Sequence, residues 1–346
     1  MEKILLLVHS EPDGSLSRAA VEAAGAAKLL AEKLPDASLE VGVIGVEVQA
    51  AAERLGAIGA ARFLGVAGED FRDSRYATDA AAAEALAKAS GATVILAPHT
   101  SRWARCLPGL SQRLHGRVDT HVTALSAAAG GISVTRWYYR QRMEAVLGRS
   151  QRPWFILIDP GSQPAWPGQA ATVTVEMFGV PLPAEARRTS NVEVRAPKAG
   201  EQTIRPDAEL LFVAGAGWTK KQADGKTHFE DAAALIMSFL RSTNASLGSS
   251  KSLVDLSGEG QAVLPFLTHL NQVGQTGSTP RHPKGLATCC HGEEPHVVGW
   301  RFINERRAVN LDPNCGWARG KADVLYVADA FEVMARLNAL LAERSG

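Results

Sequence analysis

Short apolar runs alternate with alanine-rich amphipathic stretches through the first third of the chain. Ile4–Val8 is a continuous apolar run of the kind that forms a buried strand. Arg18–Leu34 repeats its apolar residues at helical spacing and meets Pro35-Asp36, which stops the helix. Leu39–Val46 predicts a second strand and Val48–Leu55 a second helix. Thr78–Ser90 reads as an alanine-rich helix with Thr78 or Asp79 as its N-cap. Thr93–Ala97 predicts a strand, Ser101–Leu114 a helix and Thr120–Leu125 another strand. Strands that are apolar along their length are buried on both faces. Their alternation with helices predicts a mostly parallel sheet covered on both sides.

The pattern changes between Ile132 and Met177. Ala145–Gly148, Trp154–Ile158 and Ala171–Met177 are strands with Gly and Pro punctuation between them, expected to add antiparallel or mixed strands to the same sheet. Arg187–Pro206 is polar and charged, with Gly200 between Pro197 and Pro206, and reads as a linker or hinge. A second α/β unit follows. Glu209–Ala214, Ala308–Asn310 and Val324–Ala328 are its strands, and Phe229–Leu240 and Phe331–Leu341 its helices. The expected organisation is an N-terminal domain over 1–190, a linker over 191–206 and a C-terminal domain over 207–346.

Composition agrees with two cores. The chain has 346 residues, more than one typical core holds, and 46% are apolar. The net charge of +1, without a basic stripe, argues against nucleic acid as a partner. Apolar character at the start ends at His9-Ser10-Glu11, which fits a buried strand and neither a signal peptide nor a membrane span. Four cysteines without CxxC spacing give no disulfide framework. The expected location is the cytoplasm, or the mitochondrial matrix in a eukaryote, although no transit peptide is seen.

Two glycine-rich segments could hold a cofactor. Gly215-Ala216-Gly217 follows a strand, as a dinucleotide fingerprint does, but Lys220 stands where that fingerprint needs glycine, so a tight turn is the better reading. Gln272-Val273-Gly274-Gln275-Thr276-Gly277 is more specific. Its glycines let backbone approach a ligand, and its amides and hydroxyl offer donors and acceptors at fixed positions. Ser250-Lys251 precedes it; His291-Gly292, His296, Asn310-Leu311-Asp312-Pro313 and Ala322-Asp323 follow.

In order and spacing these residues resemble the flavin domain of the alpha subunit of electron transfer flavoproteins. That family carries Ser-Arg-x-x-Val-Asp, Gln-Val-Gly-Gln-Thr-Gly, Ser-Gly-Ala-Ile-Gln-His, Ile-Asn-Lys-Asp-Pro and Ala-Asp in this sequence. The first domain is similar as well, most clearly from Val94 to Leu125. The resemblance implies a C-terminal Rossmann-like domain that binds FAD. The flavin ring would lie near Lys251, Gln275, Thr276 and His296, and the phosphates and adenosine near Ser250, Gly277, Gly292, Asn310 and Asp323. Gln272, Val273, Gly274 and His291 complete the implied cofactor-binding set. It further implies a heterodimer with a beta subunit, which could hold AMP. A flavin-containing dehydrogenase would donate electrons, with methylated amines as a possible substrate class, and a quinone-linked oxidoreductase would accept them. Such a protein is an electron carrier with no catalytic residue or metal of its own and no membrane insertion. Two alternatives stay open: a non-redox adenine-nucleotide-binding scaffold subunit on the same fold, and a subunit of an electron-bifurcating flavoprotein.

The chain is a divergent member by this resemblance. Lys251 replaces the family's Arg, keeping the charge and losing the planar fork. His291-Gly292-Glu293-Glu294-Pro295-His296 replaces Ser-Gly-Ala-Ile-Gln-His, adding two carboxylates and a residue without an N–H. About eight extra residues lie around Ser257–Leu264. Cys289-Cys290-His291, with His282, His296 and Cys315, could suggest a metal, but adjacent cysteines are poor joint ligands for one tetrahedral ion; Cys289 and Cys290 read better as the end of a buried strand. Trp137–Arg142 reads as a strand with one packed face, and Arg102, Arg105 and Arg113 as a solvated helix face. His99-Thr100 stands at the C-terminal end of a strand, where open α/β sheets bind ligands.

Overall fold

The computed structural model describes residues 1–128, 131–139, 143–193, 205, 208–255, 264–273, 282–288, 303–314 and 322–345. The chain divides into two compact units, Met1–Val194 and Arg195–Gly346. Both are α/β.

In the first unit the strands are β1 (Lys3–His9), β2 (Ser38–Gly45), β3 (Arg62–Ala67), β4 (Val94–Pro98), β5 (Arg117–Ala128), β6 (Gly131–Tyr138), β7 (Met143–Gly148), β8 (Trp154–Ile158) and β9 (Val175–Met177). They form one sheet in the order β7-β6-β5-β8-β4-β1-β2-β3-β9. β5, β6 and β7 pair antiparallel, and every other pairing is parallel. The helices are α1 (Arg18–Lys33), α2 (Val48–Arg54), α3 (Tyr76–Ser90) and α4 (Ser101–Arg113). β1 shows why both faces are covered. Ile4, Leu6 and Val8 enter one core with α1 and α2, whereas Leu5 and Leu7 enter the other with α3 and α4. Alternate side chains of a strand point to opposite faces, so a run of five apolar residues fills two cores.

Local chemistry sets the helix starts. Ser17 Oγ accepts from Ala20 N at 3.3 Å and opens α1. Thr100 Oγ1 accepts from Trp103 N and opens α4. α3 differs from expectation: its N-cap is Arg75, and Thr78 and Asp79 lie inside the helix. Asp79 still satisfies a donor at that end, because its Oδ2 accepts from Arg75 N at 3.2 Å. The Ala171–Met177 strand shrinks to Val175–Met177, paired to β3 at the sheet edge.

Among the described residues the second unit has five parallel strands: β10 (Leu210–Ala214), β11 (Ser246–Ser249), β12 (Lys284–Thr288), β13 (Glu305–Asn310) and β14 (Val324–Val327), in the order β11-β10-β12-β13-β14. Its described helices are α5 (Phe229–Thr243), α6 (Lys251–Asp255) and α7 (Ala330–Ser345). Phe212, Ile236, Phe239, Trp218 and Met334 pack one face, and Leu211, Val213, Val273 and Ile303 the other. This is the expected Rossmann-like layout, since strand order reverses between β10 and β12. Among the described residues, no helix is long and apolar enough to cross a membrane.

Candidate functional site

The parallel register of the second sheet fixes which residues share an edge. Ala214 pairs with Ser249 and with Thr288, Thr288 with Val309, and Asn310 with Val327. These form the C-terminal rim. Ser250 follows Ser249 directly; its N–H donates to Ala214 O at 2.8 Å, and its Oγ accepts from Leu253 N at 3.3 Å. Lys251 opens the short α6 and pairs with Asp255 at 2.8 Å, with its side chain 50% exposed. Asp255 also lies 3.8 Å from His269 Nδ1.

Gln272 and Val273, which begin the hexapeptide, are fixed on the same rim. Gln272 bridges in parallel to Ser249, and Val273 N donates to Ser249 O at 3.0 Å. Both are buried. Behind them Asn271 Nδ2 donates to Leu247 O at 3.2 Å, and Asn271 Oδ1 accepts from Thr268 N at 3.1 Å. Gly248 is needed there: a Cβ at this position would meet Val273 Cγ2 at 2.5 Å. Gly274, Gln275, Thr276, Gly277, His291, Gly292 and His296 lie outside the described residues, as do Cys289 and Cys290.

Asn310 ends β13 on this rim and is buried. Its Oδ1 accepts from Asp312 N at 2.9 Å, the Asx turn expected of Asn-x-Asp. Asp323 is not there. Its N–H donates to Arg306 O, and its carboxylate accepts from Arg306 N at 2.7 Å and from the Arg306 guanidinium at 2.7 Å. That is the N-terminal rim, about 13 Å along β13 from Asn310 at the usual strand rise. The Arg306 hydrogen bonds hold the Asp323 carboxyl below the usual carboxylate range. Asp329, which sequence order alone did not single out, lies on the C-terminal rim instead. Its Oδ1 accepts from Phe331 N at 2.7 Å and caps α7, next to Ala328, whose N–H donates to Asn310 O.

The rim residues fit a polar, anionic cofactor in one specific respect. Ser249 Oγ is buried with no hydrogen-bond partner among the described residues, a cost that a bound group would remove. Lys251, two residues on, carries a cation that is paired with Asp255. Gly215-Ala216-Gly217 serves a turn instead: Gly215 N donates to Thr288 O, and Trp218 is buried with its Nε1–H donating to Thr288 Oγ1 at 2.8 Å.

In the first unit a cavity of about 540 Å³ opens at the C-terminal ends of β1 and β4, where strand order also reverses, with His9, Arg72, Thr100 and Arg102 among its lining. Arg102 is not a solvated helix residue, as its sequence position suggested. Its guanidinium donates to the Asp79 carboxylate at 2.6 Å and to Phe71 O at 2.7 Å, Arg72 O at 3.0 Å and Asp73 O at 3.2 Å. Arg105 donates to Ser74 Oγ and Arg113 to Glu84. Burial pushes His9 down to about 4, helped by the Arg102 charge, and its Nε2 lies 2.6 Å from Phe71 O.

No curated protein matches the chain. The family description Electron transfer flavoprotein domain matches residues 4–197, more than half of the sequence and the first sheet from Ile4 onward. Together with the two α/β units, one with a mostly parallel sheet and one with a parallel sheet, that match makes this chain a member of the electron transfer flavoprotein family.

Proposed function

We propose that the chain is the alpha subunit of a heterodimeric electron transfer flavoprotein and binds FAD on the C-terminal rim of its second sheet. The observation that carries this reading is the hydrogen bond from Val273 N to Ser249 O. It sets the start of Gln-Val-Gly-Gln-Thr-Gly beside Ser250-Lys251, on the rim that also carries Asn310. Families of this kind generally bind flavin, and of the residues expected to contact it Ser250, Lys251, Gln272, Val273 and Asn310 lie along one edge.

When bound, FAD supplies the ability to accept and release electrons. The chain's part is to hold and tune it. Ser249 and Ser250 offer hydroxyls, Asn310 a fixed amide, and Lys251 a positive charge that favours added negative charge nearby. Asp329, on the same rim as Asn310, would serve where sequence order pointed to Asp323. Gln275, Thr276, Gly277, His291, Gly292 and His296 remain part of the proposed set. The protein would work in the cytoplasm, paired with a beta subunit that could carry AMP. A flavin-containing dehydrogenase, of methylated amines on our reading, would be its donor, and a quinone-linked oxidoreductase its acceptor.

Co-purification with the beta subunit tests this. A yellow complex whose visible bands bleach on reduction is expected, with one FAD released on denaturation. A colourless complex that releases only AMP would overturn the flavin assignment and favour a nucleotide-binding scaffold.

A further inference from the structure

Three side chains far apart in sequence meet at the C-terminal rim of the first sheet. His99 follows β4, Asp159 follows β8, and His121 lies within β5. The sheet brings them together: His99 N donates to Ile158 O at 2.7 Å, and Asp159 N donates to Val122 O at 2.9 Å. His99 Nδ1 lies 3.5 Å and His121 Nδ1 3.2 Å from the same oxygen, Asp159 Oδ1. The imidazole centroids are 4.0 Å apart, at 66°. One ligand atom from each residue lies within 4.8 Å of the other two.

The backbone is distorted to make this meeting. The β5–β8 register shifts between Asp119 and Val122, so β5 carries an extra residue there. His121 has φ +54°, in the left-handed region that a non-glycine residue seldom occupies. Bulges of this kind re-aim side chains. Here the bulge brings the imidazole to Asp159, whose own carbonyl is fixed by Ser162 N at 3.1 Å and Ser162 Oγ at 2.6 Å.

We propose that His99, His121 and Asp159 form a binding site for a divalent transition-metal ion of the zinc class. Two imidazoles and a carboxylate are a ligand set for such ions. At metal–ligand bonds of about 2.0–2.1 Å, tetrahedral ligand atoms stand about 3.3 Å apart. The two separations to Asp159 Oδ1 bracket that value. His99 and Asp159 are largely covered, with side chains 14% and 10% exposed, whereas His121 is 46% exposed. The site is therefore anchored inside and open on one side, which leaves a fourth position for water or a ligand from outside. In the linear order only His99 stands out, at a strand end, because nothing there links it to residues 121 and 159.

The test uses the full-length chain freed of metal by chelation, titrated with Co²⁺ as a visible probe and then with Zn²⁺ in competition with a chromophoric chelator. One equivalent of Co²⁺ should give ligand-field bands that Zn²⁺ removes, and Zn²⁺ should raise the melting temperature. H121G suits the backbone, since glycine adopts positive φ freely, and should fold while binding about 100-fold more weakly or worse. D159N should do the same and serves if H121G is unstable. H228A is the control: His228 also sits between two carboxylates, Asp224 at 2.8 Å and Asp231 at 3.2 Å, and should leave uptake unchanged. No Co²⁺ bands in the wild-type protein, or undiminished uptake by H121G and D159N, would overturn the assignment in favour of a hydrogen-bonded His–Asp–His group.

Discussion

The indole N–H of Trp154 donates to the Asp119 carboxylate at 2.9 Å, joining β8 to β5 directly below the bulge at His121. Both side chains are wholly buried. The same carboxylate accepts from Arg136 at 3.0 Å and from Nε and NH2 of Arg149 at 3.0 Å each. Four donors thus fill one buried acid. Burial pushes the Asp119 carboxyl up, but hydrogen bonds from Arg149, Trp154 and Arg136, with the Arg149 charge, outweigh it and hold its pKa below the usual carboxylate value. The central parallel strands and the antiparallel β5–β7 extension are tied at this point.

Asp119→Ala should therefore destabilise the first unit by about 3 kcal/mol or more, because it leaves two guanidinium groups and an indole without their acceptor. Urea denaturation followed by tryptophan fluorescence measures it. A lowered folded-state pKa means that this stabilisation is present above the unfolded pKa and is lost as pH falls through the folded one. The variant should accordingly lose part of the wild-type protein's acid sensitivity below about pH 4.

His9 governs a different pH window. Its folded pKa of about 4 lies below the 6.5 of the free side chain, so between those values the unfolded chain takes up a proton and the folded chain does not. Stability should fall as pH drops through that window and stop changing from this source below about 4. The full span is about 3 kcal/mol. His9→Gln can still donate to Phe71 O and should flatten the stability profile between pH 6.5 and 4. An unchanged profile would mean that His9 titrates normally.

Arg102 should not tolerate lysine. Its fork reaches Asp79 and three carbonyls of the 71–73 turn at once, and an ammonium cannot hold that planar set. Arg102→Lys should cost about 2 kcal/mol. It should also speed amide hydrogen exchange around 69–75 more than in β1 or β4, since the lost contacts are local.

Sequence pattern carried the parts of the fold that depend on apolar continuity. Trp154–Ile158 was found with its true bounds because five large apolar residues in a row leave a strand little alternative. β3, with Gly65 and a polar start, and β11, Ser-Leu-Gly-Ser, carry no such signature. β11 is buried throughout although half its residues are serine; Ser246 Oγ donates to Arg205 O at 2.8 Å, a partner 41 residues away that no local pattern records. The rim was legible where residues adjoin a strand end, as at Ser250 and Asn310. It was not legible for Asp323 and Asp329, because choosing between them needs the direction and register of β14. Arg102 shows the same limit, with partners 23 to 31 residues away.

Cys106 should be inert in the native protein. Burial, with the nearby Asp79 charge, pushes its thiol up to about 12, so almost none is thiolate at neutral pH. Alkylation by iodoacetamide, read by peptide mass spectrometry, should leave Cys106 unmodified until denaturant is added. Labelling at a native rate comparable to that of a free thiol would contradict the burial of α4 against the sheet.

Lys251 and Asp255 should move a bound flavin's potential in opposite directions on the proposed site. Their ion pair is half-exposed at 2.8 Å, so each charge acts weakly, at about 1 kcal/mol or less. Reduction adds negative charge to the flavin, and a nearby cation favours it. Lys251→Gln removes that cation and should lower the two-electron midpoint potential by about 20 mV, since 30 mV corresponds to about 1.4 kcal/mol. Asp255→Asn removes the opposing carboxylate, frees the ammonium and should raise the potential by a similar amount. Lys251→Arg keeps the charge while changing its shape, and a shift there would measure what the planar fork contributes. Redox titration of the three variants in complex with the beta subunit separates these effects. Unchanged potentials in both Lys251→Gln and Asp255→Asn would place the flavin ring away from Lys251.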